Sequence, residues 1–181
     1  MKTSNQYFTS RAFTLIELLV TIMIMGVLLG IATPSMREFS RNQMINGAVT
    51  NLSSDLQYAR AEAVSRKTPV AICPTTDGAS CANTDDWISG WLIMITDASK
   101  CPAANECVLR QQDALNATMV LNASTSSAIT FDEQGATSAS IQFALCLNDS
   151  TASADDIYLR TLTLKPSGSR QIRSGASTCN P

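Results

Sequence analysis

The sequence predicts an α+β protein, a long N-terminal helix followed by an antiparallel β-rich head. Three observations carry this. The run Phe13–Ser35, FTLIELLVTIMIMGVLLGIATPS, is apolar and has Glu17 as its only charge. Beyond it, apolar residues recur at alternating spacings of four and three as far as Ala63, the period of a helix face. After Pro69 the text changes to short apolar, often β-branched, runs punctuated by glycine and polar clusters, the pattern of strands and turns.

Residues 1–12 form a polar leader with Lys2 and Arg11 and no acid, a charge bias that places the N-terminus in the cytoplasm. Residues 13–36 form the membrane helix, since at about 1.5 Å per residue this run reaches across a hydrocarbon core of about 30 Å. The run is longer than the apolar core of a secretory signal peptide and lacks an A-x-A exit. Glu17, its fifth residue, costs about 2.5–3.5 kcal/mol in a bilayer and so calls for a cationic partner. No Lys or Arg follows within the run. A cut between Ala12 and Phe13 would create a free amine at Phe13, which meets Glu17 of a neighbour when helices stack with a stagger. A signal anchor that is never cut leaves the carboxylate unpaired.

Residues 37–66 continue as an amphipathic helix with a narrow stripe of Ile45, Val49, Leu52, Leu56, Ala59 and Ala63. Gly47 weakens it by about 1 kcal/mol relative to Ala, and Thr68-Pro69 stops it. Residues 67–181 form the head. Its expected strands are Val70–Cys73, Trp91–Thr96, Val108–Leu115, Met119–Asn122, Ala128–Phe131, Ser140–Leu147, Tyr158–Leu164 and Arg170–Arg173. Ile141, Phe143, Leu145 and Leu147 alternate as in a half-buried strand. Ser124–Ser127 and Asn148–Asp156 read as exposed loops.

All six cysteines lie in the head, which points to disulfides formed in an oxidising compartment. Proximity favours Cys73–Cys81 and Cys101–Cys107 and leaves Cys146 with Cys179. A zinc site is disfavoured because there is no CxxC pair and no histidine. The absence of histidine also removes the commonest general base, and no nucleophile-elbow, phosphate-loop or zinc-protease motif is present. We expect no enzyme activity, cofactor or metal. Asp85-Asp86 and Asp155-Asp156 lack calcium-loop spacing and read as solvated acids, and Trp87 and Trp91 read as core. A net charge of -2 argues against bulk nucleic-acid coating. The C-terminal segment is locally basic, however, with Arg160, Lys165, Arg170 and Arg173 and no acid after Asp156.

Arg11-Ala12-Phe13-Thr14-Leu15-Ile16-Glu17-Leu18 resembles the class III prepilin signal of type IV pilins and type II secretion pseudopilins. The resemblance implies that a prepilin peptidase cuts between Ala12 and Phe13 and methylates the new amine. It implies that Glu17 is the assembly carboxylate and that Pro34 kinks the helix. The family usually has Gly where this chain has Ala12. In the head, Trp87-Ile88-Ser89-Gly90-Trp91 with Asp97, then Phe131 with Gly135 and a terminal Gly/Arg segment, resembles the FimT/FimU/GspH group. That implies a type IV pilin-like fold, with the helix packed on antiparallel sheets. The implied partners are other minor and major pilins and an inner-membrane assembly platform. The implied location is the inner membrane, single-pass with a periplasmic head, and then a pilus or pseudopilus.

Three roles follow from the resemblance: a minor pilin that primes or caps a pilus, a DNA-binding competence pilin, and a minor pseudopilin of a secretion system. Gly168-Ser169-Arg170-Gln171-Ile172-Arg173 resembles the GRxR-like DNA-binding motif of FimT-type pilins. It would set Arg170 and Arg173, with Lys165, against double-stranded DNA. The gap between the arginines is wider than in that motif, and a strand would turn the two to opposite faces.

Overall fold

The structure, a computed structural model, describes residues 13–101, 107–148 and 158–175, without the side chains of 30–35 and 37. A single helix, α1 (Leu15–Arg66), runs through Pro34 and ends just before Thr68-Pro69. By its contacts the chain divides into two units, Met1–Ser40 and Arg41–Pro181.

In the first unit the described apolar side chains of α1 lie open on every face. Leu15 is 81% exposed, and Ile16, Leu18, Met23, Ile24, Val27 and Leu28 are exposed as well. A helix apolar all round belongs in a membrane or among other helices. The described apolar stretch of α1, Leu15–Leu29, spans only about 22 Å at the helical rise. Among the described residues, no helix is long and apolar enough to cross a membrane.

In the second unit the rest of α1 carries the head. Ile45, Val49, Leu52, Leu56, Ala59 and Ala63 are all buried, as their spacing predicts. Ala48, Ser53 and Asp55 are buried too, so the covered face is wider than the narrow stripe. The reason is that two sheets contribute to one core around it. The first sheet has the order β3-β2-β1-β5 and the second β4-β6-β7-β8. The strands are β1 (Val70–Pro74), β2 (Trp91–Ile95), β3 (Val108–Gln112), β4 (Met119–Ala123), β5 (Ile129–Phe131), β6 (Ile141–Leu147), β7 (Arg160–Leu164) and β8 (Arg170–Ser174). All pairings are antiparallel.

Each expected run contains a strand. Two are shorter than their apolar text. β3 stops at Gln112 because the Leu115 N–H leaves the ladder and donates to the Ile88 carbonyl at 2.8 Å. β7 begins at Arg160 because Tyr158 lies in a turn. β6 also departs from expectation. Ile141, Phe143, Leu145 and Leu147 are buried, but so are Ala144 and Cys146 on the opposite face, so the strand is covered on both sides rather than half-buried.

Trp87 and Trp91 are fully buried. The Trp87 ring lies 6.2 Å from that of Trp91 and meets Phe143 of β6 edge-on at 5.0 Å. The aromatic cluster therefore ties the first sheet to the second. Gly90 makes the turn between the two tryptophans at φ +105°, where an added Cβ would sit 2.3 Å from the Gln112 carbonyl oxygen. Only glycine fits both constraints.

Cys73 bonds to Cys81 and Cys101 to Cys107, with Cα–Cα distances of 5.5 and 5.0 Å. Cys146 is also disulfide-bonded, and its expected partner Cys179 lies outside the described residues. Within the first loop, Asp77 accepts hydrogen bonds from the Ser80 hydroxyl and from the Ala79 and Ser80 N–H groups. These hold its carboxyl well below the usual carboxylate range, the Ser80 hydroxyl most of all. Closing so short a loop stabilises by about 2–3 kcal/mol. The Cys73→Ala/Cys81→Ala variant should lose that amount in chemical denaturation.

Candidate functional site

The first candidate site is the start of α1. Thr14 caps the helix: its carbonyl accepts from the Leu18 N–H at 3.2 Å, and its Oγ1 accepts from the Glu17 N–H at 3.3 Å. Thr14-Leu15-Ile16-Glu17 is thus a capping-box sequence, a signal that stands in the text directly before the apolar run. Glu17 sits in the first turn, where the helix dipole favours a negative charge. Its side chain is exposed among exposed Leu15, Ile16 and Leu18. Phe13 is 75% exposed at the end of the described chain, and Ala12 lies outside it. Pro34 is within α1, but its side chain is not described. The arrangement presents one carboxylate on an uncovered apolar helix. A cover that excludes water is favoured when it also supplies Glu17 with a cation.

The second is a clasp that fastens α1 to the first sheet. Asp55 is buried, and its Oδ2 accepts from Trp91 Nε1 at 2.9 Å while Oδ1 accepts from Arg110 Nη1 at 2.7 Å. The Arg110 guanidinium also lies over the Tyr58 ring, 4.1 Å from its centre, a cation–π geometry. The bond to Asp55 raises the Arg110 pKa, so this arginine stays charged. Burial, with help from Glu62, pushes the Tyr58 phenol up, so it stays neutral. The sequence reading missed this cluster. Its one textual trace is an acid beside Leu56 on the apolar face.

The third is a seam between α1 and the second sheet. Arg60 Nη1 donates to the Gly168 carbonyl at 3.3 Å. Gly168 turns at φ +73°, and a Cβ there would stand 2.2 Å from the Gly135 carbonyl oxygen and 2.8 Å from Arg60 Nε. The late glycines of the sequence are therefore packing positions, where helix and turns meet without room for a methyl group. Gly168→Ala should cost at least about 2 kcal/mol from the left-handed backbone and the collision together, seen as a lowered thermal midpoint.

Arg170 belongs to the same seam. Its Nε donates to Ser53 Oγ at 2.5 Å, and its Nη2 donates to Gln57 Oε1. Residues opposite one another in a ladder share a face. Arg170 and Ile172 pair with the buried Leu164 and Leu162, while Gln171 and Arg173 pair with Thr163 and Thr161. The two arginines thus point to opposite faces, and the structure does not bring them together. Lys165 is exposed at the β7–β8 turn. Asp85 and Asp86 are exposed, with Asp86 bonding the Ile88 N–H. Among the described residues, no group of His, Cys, Asp or Glu could hold a metal ion.

Comparison with known proteins agrees with this architecture. Residues 48–169 match the family model of the Type II transport protein GspH, and residues 8–33 match the prokaryotic N-terminal methylation motif. The type IV minor pilin FimU of Pseudomonas aeruginosa superposes with a TM-score of 0.58 at 28% identity, over 77% of this chain and 97% of that one. The minor pseudopilin EpsH of the Vibrio cholerae Type 2 Secretion System shares the fold, with a TM-score of 0.50 at 8% identity over 74% and 99% of the two chains. Pilin-like protein PilA1 of Thermus thermophilus is 39% identical over 72 residues, 39% of this chain and 44% of that protein. The chain thus spans less than half the length of this relative. The family-model matches imply a membrane-anchored, pilus-associated location. Matched over most of its length by the GspH model and at its start by the methylation motif, the chain belongs to the GspH family of type IV minor pilins and pseudopilins.

Proposed function

We propose that this chain is a minor type IV pilin that enters, primes or caps a pilus through its N-terminal helix. Before assembly it sits in the inner membrane as a single-pass protein with a cytoplasmic N-terminus and a periplasmic head. Prepilin peptidase releases residues 1–12, and the new Phe13 amine, methylated, pairs with a Glu17 carboxylate across two staggered helices. The observation that carries the reading is the first part of α1, apolar on every face, uncovered, and bearing Glu17 as its one charge. A bilayer covers that surface before assembly and neighbouring helices cover it afterwards. The carboxylate favours the second environment because only there does it meet an amine.

The likeness to FimU supports a pilus over a secretion pseudopilus, because EpsH supports the fold alone. Capture of double-stranded DNA is the less supported role, since Arg170 and Arg173 face opposite sides of β8 and cannot act together on one duplex. Duplex binding across a salt series should accordingly be weak and unchanged by Arg170→Ala. The reading is tested by locating the full chain in sheared pili and in membranes of the cells that make it. Absence from both would end it.

A further inference from the structure

The second sheet ends in β8, whose outer side carries no paired strand among the described residues. Among those residues β8 pairs only with β7. The hairpin is closed by Lys165 N–H to the Ser169 carbonyl, and its far end by Gly175 N–H to the Leu159 carbonyl. The alternation of an antiparallel ladder then turns the N–H and C=O of Gln171 and Arg173 toward β7 and those of Arg170, Ile172 and Ser174 outward. These outward groups have no strand beside them among the described residues. All five residues of β8 are exposed, and none of the described residues covers its edge as proteins usually cover one.

Beside this edge lies a cleft of about 410 Å³ lined by Gln57, Arg60, Ala61, Val64, Ser65 and Arg170. Its floor on α1 is apolar at Ala61 and Val64, and Val64 is 46% exposed. Ile172, on the same face of β8 as Arg170, is 44% exposed. Arg60 and Arg170 make hydrogen bonds to a carbonyl, a hydroxyl and an amide, and neither meets a carboxylate among the described residues. Among the described residues, the cleft therefore offers two guanidinium groups without counter-charge and an uncovered aliphatic side chain at Val64, and the β8 edge beside it offers Ile172 and an unpaired backbone.

We propose that the β8 edge and this cleft bind an extended, carboxylate-bearing segment of a partner protein by strand addition. The segment's backbone pairs with Arg170, Ile172 and Ser174, one apolar side chain covers Ile172, an acidic one reaches Arg170 and Arg60, and the segment's continuation past the cleft covers Val64. Strand addition combines main-chain affinity with pockets for alternate side chains. A nucleic-acid backbone matches the charge but neither the aliphatic floor nor the strand edge. The identification of the partner as a neighbouring pilin-family subunit rests on the proposed function, whereas the chemistry of the edge does not.

The test places a photoreactive benzoylphenylalanine at Val64 in the full chain, in the cells that make it. The expected adduct maps to an acidic, extended protein segment. Ile172→Pro removes an outward N–H without touching the β7–β8 ladder, and it should lower the adduct at least about tenfold with the head's protease resistance retained. Arg170→Glu should also abolish the adduct, and reversing the partner's carboxylate to Lys should restore it. No adduct, a nucleic-acid adduct, an adduct that survives both variants, or a failed charge swap would overturn the proposal. Chain content of membranes and sheared pili is scored in the same cultures. Its loss from both in the unsubstituted protein would overturn the pilin reading instead.

Discussion

Glu17→Ala is expected to remove the chain from sheared pili by at least about tenfold while its membrane content stays unchanged. The direction follows from what each environment does to a carboxylate. In the bilayer Glu17 costs about 2.5–3.5 kcal/mol, so the substitution makes membrane residence easier. In a filament core, pairing with a neighbour's amine relieves that cost, and a buried charge left without its partner forfeits about 3–5 kcal/mol. Alanine erases the difference that drives transfer from one environment to the other. A loss of even about 1.4 kcal/mol is tenfold in occupancy.

Because Thr14 caps the helix at the Glu17 N–H, a second variant is needed to separate charge from capping. Glutamine serves as well as glutamate at that position of a capping box but carries no charge. Glu17→Gln should therefore keep the helix start intact and still fail to assemble. Glu17→Gln pili with normal content of this chain would sink the ion-pair mechanism and leave Glu17 as a cap. Removal of residues 1–12, read from the size of the membrane form, should proceed in both variants.

Asp55→Ala is expected to destabilise the head by about 1–4 kcal/mol. The substitution leaves Trp91 Nε1, fully buried, without its 2.9 Å acceptor, and an unsatisfied buried donor costs about 1–3 kcal/mol. It also frees Arg110, but that side chain is 46% exposed, so water replaces much of the lost attraction and this part contributes about 0–1 kcal/mol. Arg110→Ala should accordingly cost less than Asp55→Ala, and the double variant should lose less than the sum, since the two share one bond. Asp55→Asn, which keeps an acceptor for Trp91, should lie between the wild type and Asp55→Ala. Denaturant unfolding with the disulfides intact orders the variants. Equal costs for Asp55→Ala and Arg110→Ala would mean that the ion pair, not the tryptophan, fastens α1 to the sheet.

The helix, the positions of the strands along the chain, the two short-range disulfides and the prepilin-type start were legible in the text because each rests on local spacing. Ile45 through Ala63 repeat at helical intervals and are buried at every step. Ile141 through Leu147 alternate, and Cys73–Cys81 and Cys101–Cys107 are separated by only 8 and 6 positions. The start of α1 was legible as well, down to Glu17 as its one charge, although the cap at Thr14 stood in the same four residues unread.

What holds the helix to the head was decided only in three dimensions. Trp91 meets Asp55 across 36 positions and Arg110 meets it across 55, while Arg170 meets Ser53 across 117. No periodicity connects residues so far apart. Their partnership depends on the stacking of one helix against two sheets, which no window of sequence contains. The same holds for Gly168, whose need for glycine comes from the Gly135 carbonyl and Arg60 beside it. It holds for Arg170 too. Its charge was plain in the sequence, but only the ladder with Leu164 turns it from the open face toward α1. Local pattern thus determined which elements form and which ends of them are apolar, and tertiary packing determined which polar side chains are spent on the fold and which remain for a partner.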